Sequence, residues 1–423
     1  MKIAFVHPDL GIGGAERLVV DAAVGLQKNG HSITIYTSHC DKSHCFDEVA
    51  SGELDVHVCG DFQPIAILGK LHILCAILRQ LNLVACLIAS GHIQHYDYFI
   101  VDQLSFCVPL LSVLGRGKVL FYCHFPDLLL ARKSSWAKRL YRMPFDAVEE
   151  WTTGTSDNVV VNSRFTRSVF RDTFPSLRAI EPGVVYPCVD VDAPTDGVVE
   201  TENRAAAEEL LAFTGRPFLL SINRFERLKN IELAIEAYAQ ALPNIDADAQ
   251  PLLLVAGGYD ARVHENVEYL QELETLCDRL GLVHYTFRSK LVTRPTSTQV
   301  VFLPLVRGPI KNAALRHAEL LLYTPTFEHF GIVPVESMLH HTPVLAVNRG
   351  GPLETVVSYD GSNAAAATGY TRANDVAQWA HVIKSHLVDL DSNVKTQMGA
   401  NGHARVKELF SRERMTQAQG LTI

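Results

Sequence analysis

Short apolar runs alternate with helical stretches along most of the chain. This alternation is typical of strand–helix–strand units that build a parallel sheet. The runs predict strands at residues 2–6, 33–37, 55–58, 98–101, 118–123 and 158–161 in the first half, and at 218–222, 252–256, 300–303, 320–323 and 344–347 in the second. The pattern therefore predicts an α/β protein with two doubly wound, Rossmann-like domains.

The region between the two sets of strands is rich in proline and ends in an acidic, polar stretch, which indicates a linker. We expect a first domain at residues 1–180, a linker at 181–212 and a second domain at 213–393. Residues 394–423 should be helical and should pack back on the first domain. In open parallel sheets, ligands bind at the carboxyl ends of the strands, so we expect the two domains to face a central cleft.

Composition narrows the class of protein. Hydrophobic residues make up 48% and charged residues 20% of the 423 residues, so the chain is not disordered. The formal net charge of −8 argues against nucleic acid as the main partner, because phosphate binding needs a surplus of Lys and Arg. The nine cysteines form no C-x-x-C pair, which is usual for thiols in a reducing compartment. A strand follows Met1-Lys2 directly, so we expect no signal peptide and a protein that faces the cytosol.

Two segments have alternative interpretations. The string SHCDKSHC places His39, Cys40, His44 and Cys45 close together, but it lacks a second half that would complete a metal site, so a surface loop is favoured. Residues 65–89 are almost continuously apolar, yet Lys70 and Arg79 are among the polar residues that interrupt them. Such a segment is unsuited to span a membrane. It is either a buried helix of the first domain or a helix that lies in the membrane interface.

The first strand leads into the string HPDLGIGGAER. Gly11, Gly13 and Gly14 permit a tight turn, after which a helix offers its N-terminal N–H groups to an anion. A dinucleotide-binding turn would have glycine where Glu16 stands, and an acidic residue would end the second strand. Neither condition is met, so an NAD site is excluded.

Two motifs in the second half carry charged side chains to the start of a helix. In SINRFERLKN, Arg224 and Lys229 lie five residues apart and can converge on a diphosphate. In TPTFEHFGIVPVESM, Glu328 precedes a helix and Glu336 lies about two turns later, where the two carboxylates can hold sugar and ribose hydroxyls. The backbone N–H groups of Phe330 and Gly331 would face phosphate charge at the helix N-terminus.

These motifs together resemble the retaining GT-B glycosyltransferase family with an E-x7-E motif. The resemblance covers nearly the whole chain and is carried by the strings HPDLGIGGAERLVVDAA, FYCHFPDLLL, KRLYR, YPCVDVD, LSINRFERLKN, VAGGYD, EHFGIVPVE and AVNRGGPLE. Within the family it points to the eukaryotic mannosyltransferases that extend the dolichol-linked precursor of N-glycosylation.

The resemblance implies an activity, a place and partners. The enzyme would add an α-1,3 and then an α-1,6 mannose from GDP-mannose to Man-GlcNAc2-diphosphodolichol. It would work at the cytosolic face of the endoplasmic reticulum membrane, need no metal or other cofactor, and could form a complex with other mannosyltransferases of the pathway. No nucleic acid is implied.

The resemblance also implies roles for individual residues. Arg224 and Lys229 would stabilise charge on the departing diphosphate, Glu328 would hold mannose hydroxyls and Glu336 the ribose. His329 would belong to the same donor site. The remaining implied residues come from the first domain: Gly13 and Gly14 would admit phosphate to the backbone, and His124 would contact the transferred sugar.

A basic stretch in the first domain is interleaved with aromatic residues. By itself it predicts a solvated helix face, but a lipid diphosphate at a membrane surface would use such charges with aromatic anchors. We therefore assign to membrane and acceptor binding the residues Arg132, Lys133, Trp136, Lys138, Arg139 and Arg142.

Three other functions are less well supported. A nucleotide-sugar epimerase of similar architecture would not need a lipid-facing apolar segment. A non-catalytic, membrane-recruited subunit would tolerate loss of Glu328 and Lys229. A metal-dependent transferase would carry Asp-x-Asp at a strand end, whereas Asp190 and Asp192 lie in the predicted linker.

Overall fold

The structure is a computed structural model that describes residues 1–42, 44–67, 71–130, 136–191, 197–287, 294–306 and 308–420. It divides into two compact units. Unit 1 comprises Met1–Cys188 and Ser411–Ile423, and unit 2 comprises Val189–Phe410.

Unit 1 is built on a seven-stranded parallel sheet in the order β3-β2-β1-β4-β5-β6-β7. Its strands are β1 (Lys2–His7), β2 (Ser32–Thr37), β3 (Asp55–Val58), β4 (Tyr98–Asp102), β5 (Lys118–Cys123), β6 (Asn158–Val161) and β7 (Gly183–Val184). Its first seven helices are α1 (Gly14–Lys28), α2 (Asp47–Ala50), α3 (His72–Ala89), α4 (Val108–Leu114), α5 (Asp127–Leu130), α6 (Trp136–Thr153) and α7 (Arg164–Thr173).

The two faces of this sheet bury separate cores, because successive side chains of a strand point to opposite faces. On β1, Ile3 and Phe5 pack with the apolar face of α1, whereas Ala4 and Val6 pack on the side of α3. Phe5 lies opposite Ile35 of β2 on one side and opposite Ile100 of β4 on the other. Helices therefore cover both faces, as the doubly wound prediction requires.

Unit 2 repeats this architecture with the strand order β10-β11-β9-β8-β12-β13-β14, again all parallel. Its strands are β8 (Phe218–Ile222), β9 (Leu252–Gly257), β10 (His284–Thr286), β11 (Val300–Pro304), β12 (Leu320–Tyr323), β13 (Val344–Val347) and β14 (Gly369–Arg372). Its helices are α8 (Gly197–Thr214), α9 (Glu232–Ala241), α10 (His264–Arg279), α11 (Gly308–His317), α12 (Ile332–Leu339), α13 (Pro352–Thr355), α14 (Val376–Lys384) and α15 (Ser392–Leu409). Trp379 is fully buried in its core, and its indole N–H donates to Ala373 O at 2.9 Å.

The predicted strands are confirmed at all eleven places. Within the described residues the sheets also contain β7, β10 and β14, which the apolar pattern did not predict. Each of these three strands lies at the edge of its sheet. Edge strands are covered less completely, so they need no continuous apolar run, and β10 with the sequence HYT shows none.

The domain boundaries differ from the predicted ones. β7 pairs with β6, so the start of the predicted linker at 181–212 belongs to the first sheet. Its later part forms α8, which packs on α11 within unit 2. The prolines therefore mark the connection around residue 188 rather than a separate linker segment.

The C-terminal stretch forms two helices instead of one. α15 packs on α12 within unit 2, and α16 (Arg412–Gly420) packs on α1 within unit 1. A Cβ atom on Gly25 of α1 would lie 2.2 Å from Thr416 Oγ1, so glycine is needed for this close approach. Of the stretch 394–423 that was predicted to pack on the first domain, only the part after Phe410 belongs to unit 1.

The apolar segment at residues 65–89 contains α3, which is amphipathic in the folded unit. Leu83, Val84 and Leu87 are fully buried in the core, whereas Leu78 and Ile88 are exposed. In the part of the chain that the structure describes, α3 is the single helix long and apolar enough to cross a membrane by length and composition. The buried face confirms that α3 is a helix of the first domain's core, and the position of α3 in a membrane interface stays a prediction.

Candidate active site

The loop after β8 carries Lys229 to the carboxyl edge of the sheet in unit 2. Lys229 Nζ lies 3.0 Å from Glu328 Oε2, and both side chains are about one-fifth exposed. Thr324 Oγ1, just beyond β12, donates to Lys229 O at 2.7 Å and joins the two loops. The sequence motifs are 99 residues apart, and the adjacency of β8 and β12 brings them together.

Two contacts of Tyr269 on α10 hold the end of this loop. Asn230 adopts a left-handed conformation with φ of 51°, and the next residue, Ile231, donates its N–H to Tyr269 Oη at 2.8 Å. Tyr269 in turn donates to the carboxylate of Glu232. Burial, followed by this carboxylate, raises the pKa of Tyr269, so the phenol keeps its proton and remains a donor.

Arg224 lies on the same loop but is turned toward solvent. Its side chain is 67% exposed, and Nη1 pairs with Glu226 Oε1 at 3.0 Å. Arg224 packs its aliphatic part near Gly258, where an added Cβ would lie 3.2 Å from its Cγ atom. The predicted pairing with Lys229 on a diphosphate would bring the phosphate into competition with Glu226 for Nη1 of Arg224.

Glu328 is held by the glycine turn that follows β13. Its carbonyl oxygen accepts from Gly351 N at 2.9 Å, and a Cβ on Gly351 would collide with Phe330 O at 2.2 Å. Tyr323, at the end of β12, is buried beside Glu328, and burial and this carboxylate raise the pKa of the phenol. The close backbone contact explains the glycine at position 351, and the left-handed φ of 69° favours glycine at position 350.

Glu336 lies on α12 and has a partner that the motif analysis missed. Lys311 Nζ of α11 lies 2.7 Å from Glu336 Oε1. The other oxygen, Oε2, is buried without a hydrogen-bond partner among the described residues. A buried carboxylate oxygen without a partner can accept a hydrogen bond from a ligand hydroxyl.

The neighbours of Glu328 in the motif have different surroundings. Phe330 is only 4% exposed and packs edge-on against Phe410, so its side chain belongs to the core. Gly331 has φ of 85° and is the N-cap residue just before α12. His329 is half-buried beside Glu328. Phe327, by contrast, is 60% exposed, with the guanidinium of Arg349 stacked 4.3 Å from its ring centre.

In unit 1, His124 lies just after β5 and is hydrogen-bonded to a residue that sequence reasoning missed. Asp102, the last residue of β4, accepts from His124 Nε2 at 3.1 Å. The same carboxylate accepts from His7 Nδ1 of β1 at 2.8 Å. Although burial opposes it, His7 and His124 hold the pKa of Asp102 below its ordinary value. Burial lowers the pKa of His7, but the neighbouring Asp102 carboxylate has the larger combined effect. The pKa of His7 is therefore raised.

Gly13 and Gly14 lie at the start of α1, near this cluster, and Gly14 is the first residue of the helix. Gly13 is the residue before the helix, and a Cβ there would lie 2.2 Å from Glu16 Oε2. The carboxylate of Glu16 also lies 4.0 Å from His7 Nε2. The glycine turn, the first-turn carboxylate and His7 are therefore neighbours at the carboxyl edge of the first sheet.

The structure describes only two side chains of the predicted basic membrane surface, those of Trp136 and Arg142. Arg132 and Lys133 lie outside the described residues, as do the side chains of Lys138 and Arg139 on α6. Trp136 is 79% exposed, as a membrane anchor would be. The assignment of Arg142 to this surface is wrong, because its guanidinium is 10% exposed and pairs with Asp127 at 2.7 Å and with Asp146 at 3.1 Å.

The histidine–cysteine segment forms ordinary loop contacts. His39 Nδ1 pairs with Asp61, and Cys45 Sγ donates to Lys42 O at 3.7 Å. In the described residues no group of three or more His, Cys, Asp or Glu side chains is arranged as a metal site.

Comparison with known proteins places this site in a family. The chain is 56% identical over 434 residues to alpha-1,3/1,6-mannosyltransferase ALG2 of Candida albicans, covering 99% of this chain and 97% of the relative. It is 47% identical to the Saccharomyces cerevisiae protein of the same name, covering 98% of this chain and 83% of the relative. The chain belongs to the ALG2 mannosyltransferase family.

Family models match both units of this ALG2-family chain. The model described as glycosyl transferases group 1 matches residues 202–405, which include Arg224, Lys229, Glu328 and Glu336. The model described as glycosyltransferase family 4 matches residues 12–193, which include His124 and Asp102. The chain is therefore a glycosyltransferase, as its motifs predicted.

Solved structures confirm the predicted GT-B fold of the ALG2 family. Sucrose-phosphate synthase from Thermosynechococcus elongatus superposes with a TM-score of 0.72 at 19% identity, covering 100% of this chain and 98% of the other. Anabaena HepE in complex with UDP gives a TM-score of 0.71 at 20% identity, covering 100% and 99%. At such identities the likeness concerns the fold alone.

Proposed function

We propose that this chain transfers mannose from GDP-mannose to Man-GlcNAc2-diphosphodolichol, forming an α-1,3 and then an α-1,6 linkage. The observation that carries the proposal is the ion pair between Lys229 Nζ and Glu328 Oε2, 3.0 Å apart at the carboxyl edge of the second sheet. This pair joins the two motifs whose spacing predicts a sugar diphosphate site, and ALG2 relatives at 46–56% identity carry the mannosyltransferase name.

Donor binding would exchange this internal ion pair for contacts with the substrate. The Lys229 ammonium turns from Glu328 to the diphosphate, where it stabilises the negative charge that grows as GDP leaves. The Glu328 carboxylate is then free to accept hydrogen bonds from mannose hydroxyls. Glu336 Oε2, which is buried and unpartnered in the described chain, accepts a ribose hydroxyl. Each side chain thereby finds a charge or donor that matches its own.

Transfer would proceed without a metal ion. Lys229 and the exposed Arg224 supply two cationic groups, and Gly331 is the N-cap of α12. Cations and helix N-termini can together balance a leaving diphosphate.

We further propose that unit 1 rests on the cytosolic face of the endoplasmic reticulum membrane. The exposed face of α3 carries Leu78 and Ile88, and the segment before it exposes Phe62 and Ile65 by 80% and 67%. Apolar side chains presented in this way suit the interface of a bilayer, where a dolichol-linked acceptor is held.

The proposal is tested by product analysis. Purified protein is incubated with GDP-mannose and synthetic lipid-linked Man-GlcNAc2, and products are resolved by mass and by linkage-specific mannosidases. We expect two successive additions, the first α-1,3 and the second α-1,6. A Glu328→Gln variant keeps the side-chain shape and should give neither product. Transfer from UDP-glucose at the same rate as from GDP-mannose would contradict the proposal. Conversion of the donor into another nucleotide sugar, with no transfer to the acceptor, would also contradict it.

A further inference from the structure

Three neighbouring strands of unit 1 each end at a polar side chain of one buried cluster. β1, β4 and β5 are adjacent in the sheet, and His7, Asp102 and His124 follow or end them. Both imidazoles donate to the single carboxylate, from His7 Nδ1 at 2.8 Å and from His124 Nε2 at 3.1 Å. His7 and Asp102 are almost completely buried, whereas the His124 side chain is 21% exposed. Only His124 therefore has a surface that a ligand can reach.

The contacts of His124 leave one ring nitrogen for a ligand. An ionised carboxylate can only accept hydrogen bonds, so Nε2 must carry the proton that reaches Asp102. In the neutral ring, Nδ1 is then an acceptor, and none of the residues that the structure describes donates to it. The backbone is fixed as well, because Asn162 Nδ2 donates to His124 O at 2.9 Å. Tyr122 packs 4.8 Å from the imidazole, centre to centre.

His7 supplies the charge that allows Asp102 to be buried. A buried carboxylate is costly unless it is paired and hydrogen-bonded. His7 approaches both oxygens of Asp102, at 2.8 and 2.9 Å, and its other nitrogen lies 4.0 Å from the Glu16 carboxylate of α1. Between Asp102 and Glu16, the imidazole of His7 is positioned as a cation. It balances the carboxylate that His124 uses.

We propose that Asp102, paired with His7, is a positioning residue that holds His124 in the tautomer whose Nδ1 accepts a hydrogen bond from a hydroxyl of the sugar substrate. The inference rests on the proposed function, in which His124 contacts the sugar. It adds a chain of contacts that runs from His7 of β1 through Asp102 of β4 to His124 and the sugar. Neither His7 nor Asp102 lies near His124 in the sequence.

A double-mutant cycle tests the coupling. Asp102→Asn, His124→Gln and the double variant are compared in kcat and in KM for GDP-mannose, after thermal unfolding has shown each to be folded. Asp102→Asn should lower kcat by about 10- to 100-fold and change KM by less than about twofold, because an amide can donate to Nε2 and reverse the tautomer. The double variant should be no slower than His124→Gln alone, since Asp102 acts through His124.

The possible outcomes separate this inference from the proposed function. Additive losses in the double variant would overturn the positioning role, because Asp102 would then act independently of His124. A strong loss in His124→Gln with normal rates in Asp102→Asn would overturn the inference and leave the transferase proposal intact. Full activity of His124→Gln would remove His124 from the site and overturn both statements about it.

A direct measurement needs no Asp102 variant. Long-range ¹H–¹⁵N spectra of the full chain labelled at histidine report which ring nitrogen carries the proton, and the His124 signals are assigned with His124→Gln. We expect the Nε2-protonated form for His124. A signal typical of protonated Nδ1 and bare Nε2 would overturn the proposal even if Asp102→Asn were unfolded.

Discussion

At the scale of single residues, the Lys229–Glu328 ion pair is the most direct target. Lys229→Ala should lower kcat by about 10²-fold or more, because one group that stabilises the leaving diphosphate is lost, while the fold should persist because Lys229 is partly exposed. Turnover of GDP-mannose is the measurement. Lys384→Ala is the matched control, since it breaks an ion pair with Asp389 in the same unit away from these loops. Near-normal turnover by folded Lys229→Ala would remove Lys229 from the site.

Lys311 leads to a second prediction at this scale. It is the partner of Glu336 at 2.7 Å, so Lys311→Met should leave that carboxylate free to turn from the ribose. We expect KM for GDP-mannose to rise about tenfold, with a smaller effect on kcat, because a hydrogen bond to a charged group contributes roughly 1.5–3 kcal/mol. Donors that lack a ribose hydroxyl provide the control.

If Lys311 positions Glu336, a deoxyribose donor should bind wild type and Lys311→Met about equally well. A tenfold difference that persists with every deoxyribose donor would show that Lys311 acts elsewhere. Glu336→Gln should resemble Lys311→Met in KM.

Residue-level prediction from sequence was most direct where the candidate groups share one motif. Glu328 and Glu336 lie on a single loop and helix, so their spacing predicted one site for both. His7, Asp102 and Lys311 were missed because their partners are 95, 22 and 25 residues away. The signal was present in the strings FVH, IVD and FYCH, in which a polar residue ends or follows a buried strand. Only the strand order shows that three of these ends meet.

At the scale of elements, apolar runs predicted all ten central strands and the edge strand β3, but not the other three edge strands. The predicted C-terminal helix likewise missed the break at Phe410 and Ser411, because both halves favour helix and the change of packing partner is tertiary. Arg142 shows the same limit. Its place in a basic string indicated a surface, whereas Asp127 and Asp146 make it a buried structural residue.

The contact between α16 and α1 can be tested by a designed clash and its relief. Gly25→Ala places a methyl group 2.2 Å from Thr416 Oγ1, so α16 should loosen at a cost of about 1–3 kcal/mol. Amide hydrogen exchange of residues 412–420 is the measurement, since a two-domain chain need not unfold in one step.

Removal of Thr416 Oγ1, the atom that the added methyl group would clash with, should relieve the strain. Adding Thr416→Ala to Gly25→Ala should restore much of the protection, whereas Thr416→Ala alone loses only its bond to Arg412 O. Unchanged exchange in Gly25→Ala would show that α16 does not rest on this glycine.

At the scale of the whole molecule, the charge-balancing groups of unit 2 predict that chelation has little effect. In detergent, EDTA should leave at least about half of the mannose transfer, because Lys229, Arg224 and the start of α12 are proposed to receive the diphosphate charge. Initial rates with and without added Mg²⁺ or Mn²⁺ are the measurement. Complete loss that either ion reverses would contradict the metal-free proposal.

The last prediction concerns how the molecule meets its lipid substrate. Basic side chains near an anionic leaflet contribute about 1 kcal/mol each, an effect that salt screens. The variant replaces four basic residues of unit 1 by serine, namely Arg132, Lys133, Lys138 and Arg139. It should therefore bind anionic liposomes more weakly at low salt and be less active on long-chain dolichol acceptors. Arg142 is kept, because it is buried between Asp127 and Asp146.

A control of equal charge separates local docking from net charge. Serine is placed at four exposed basic positions of unit 2: Arg204, Arg262, Arg279 and Lys407. This variant should bind liposomes like wild type, and both variants should keep their activity on a short, water-soluble acceptor, because the donor residues Lys229 and Glu328 are unaltered. Equal liposome binding by wild type and the unit 1 variant would contradict docking through this stretch. The exposed face of α3 would then be the remaining candidate, tested by Leu78→Gln and Ile88→Gln in the same assay.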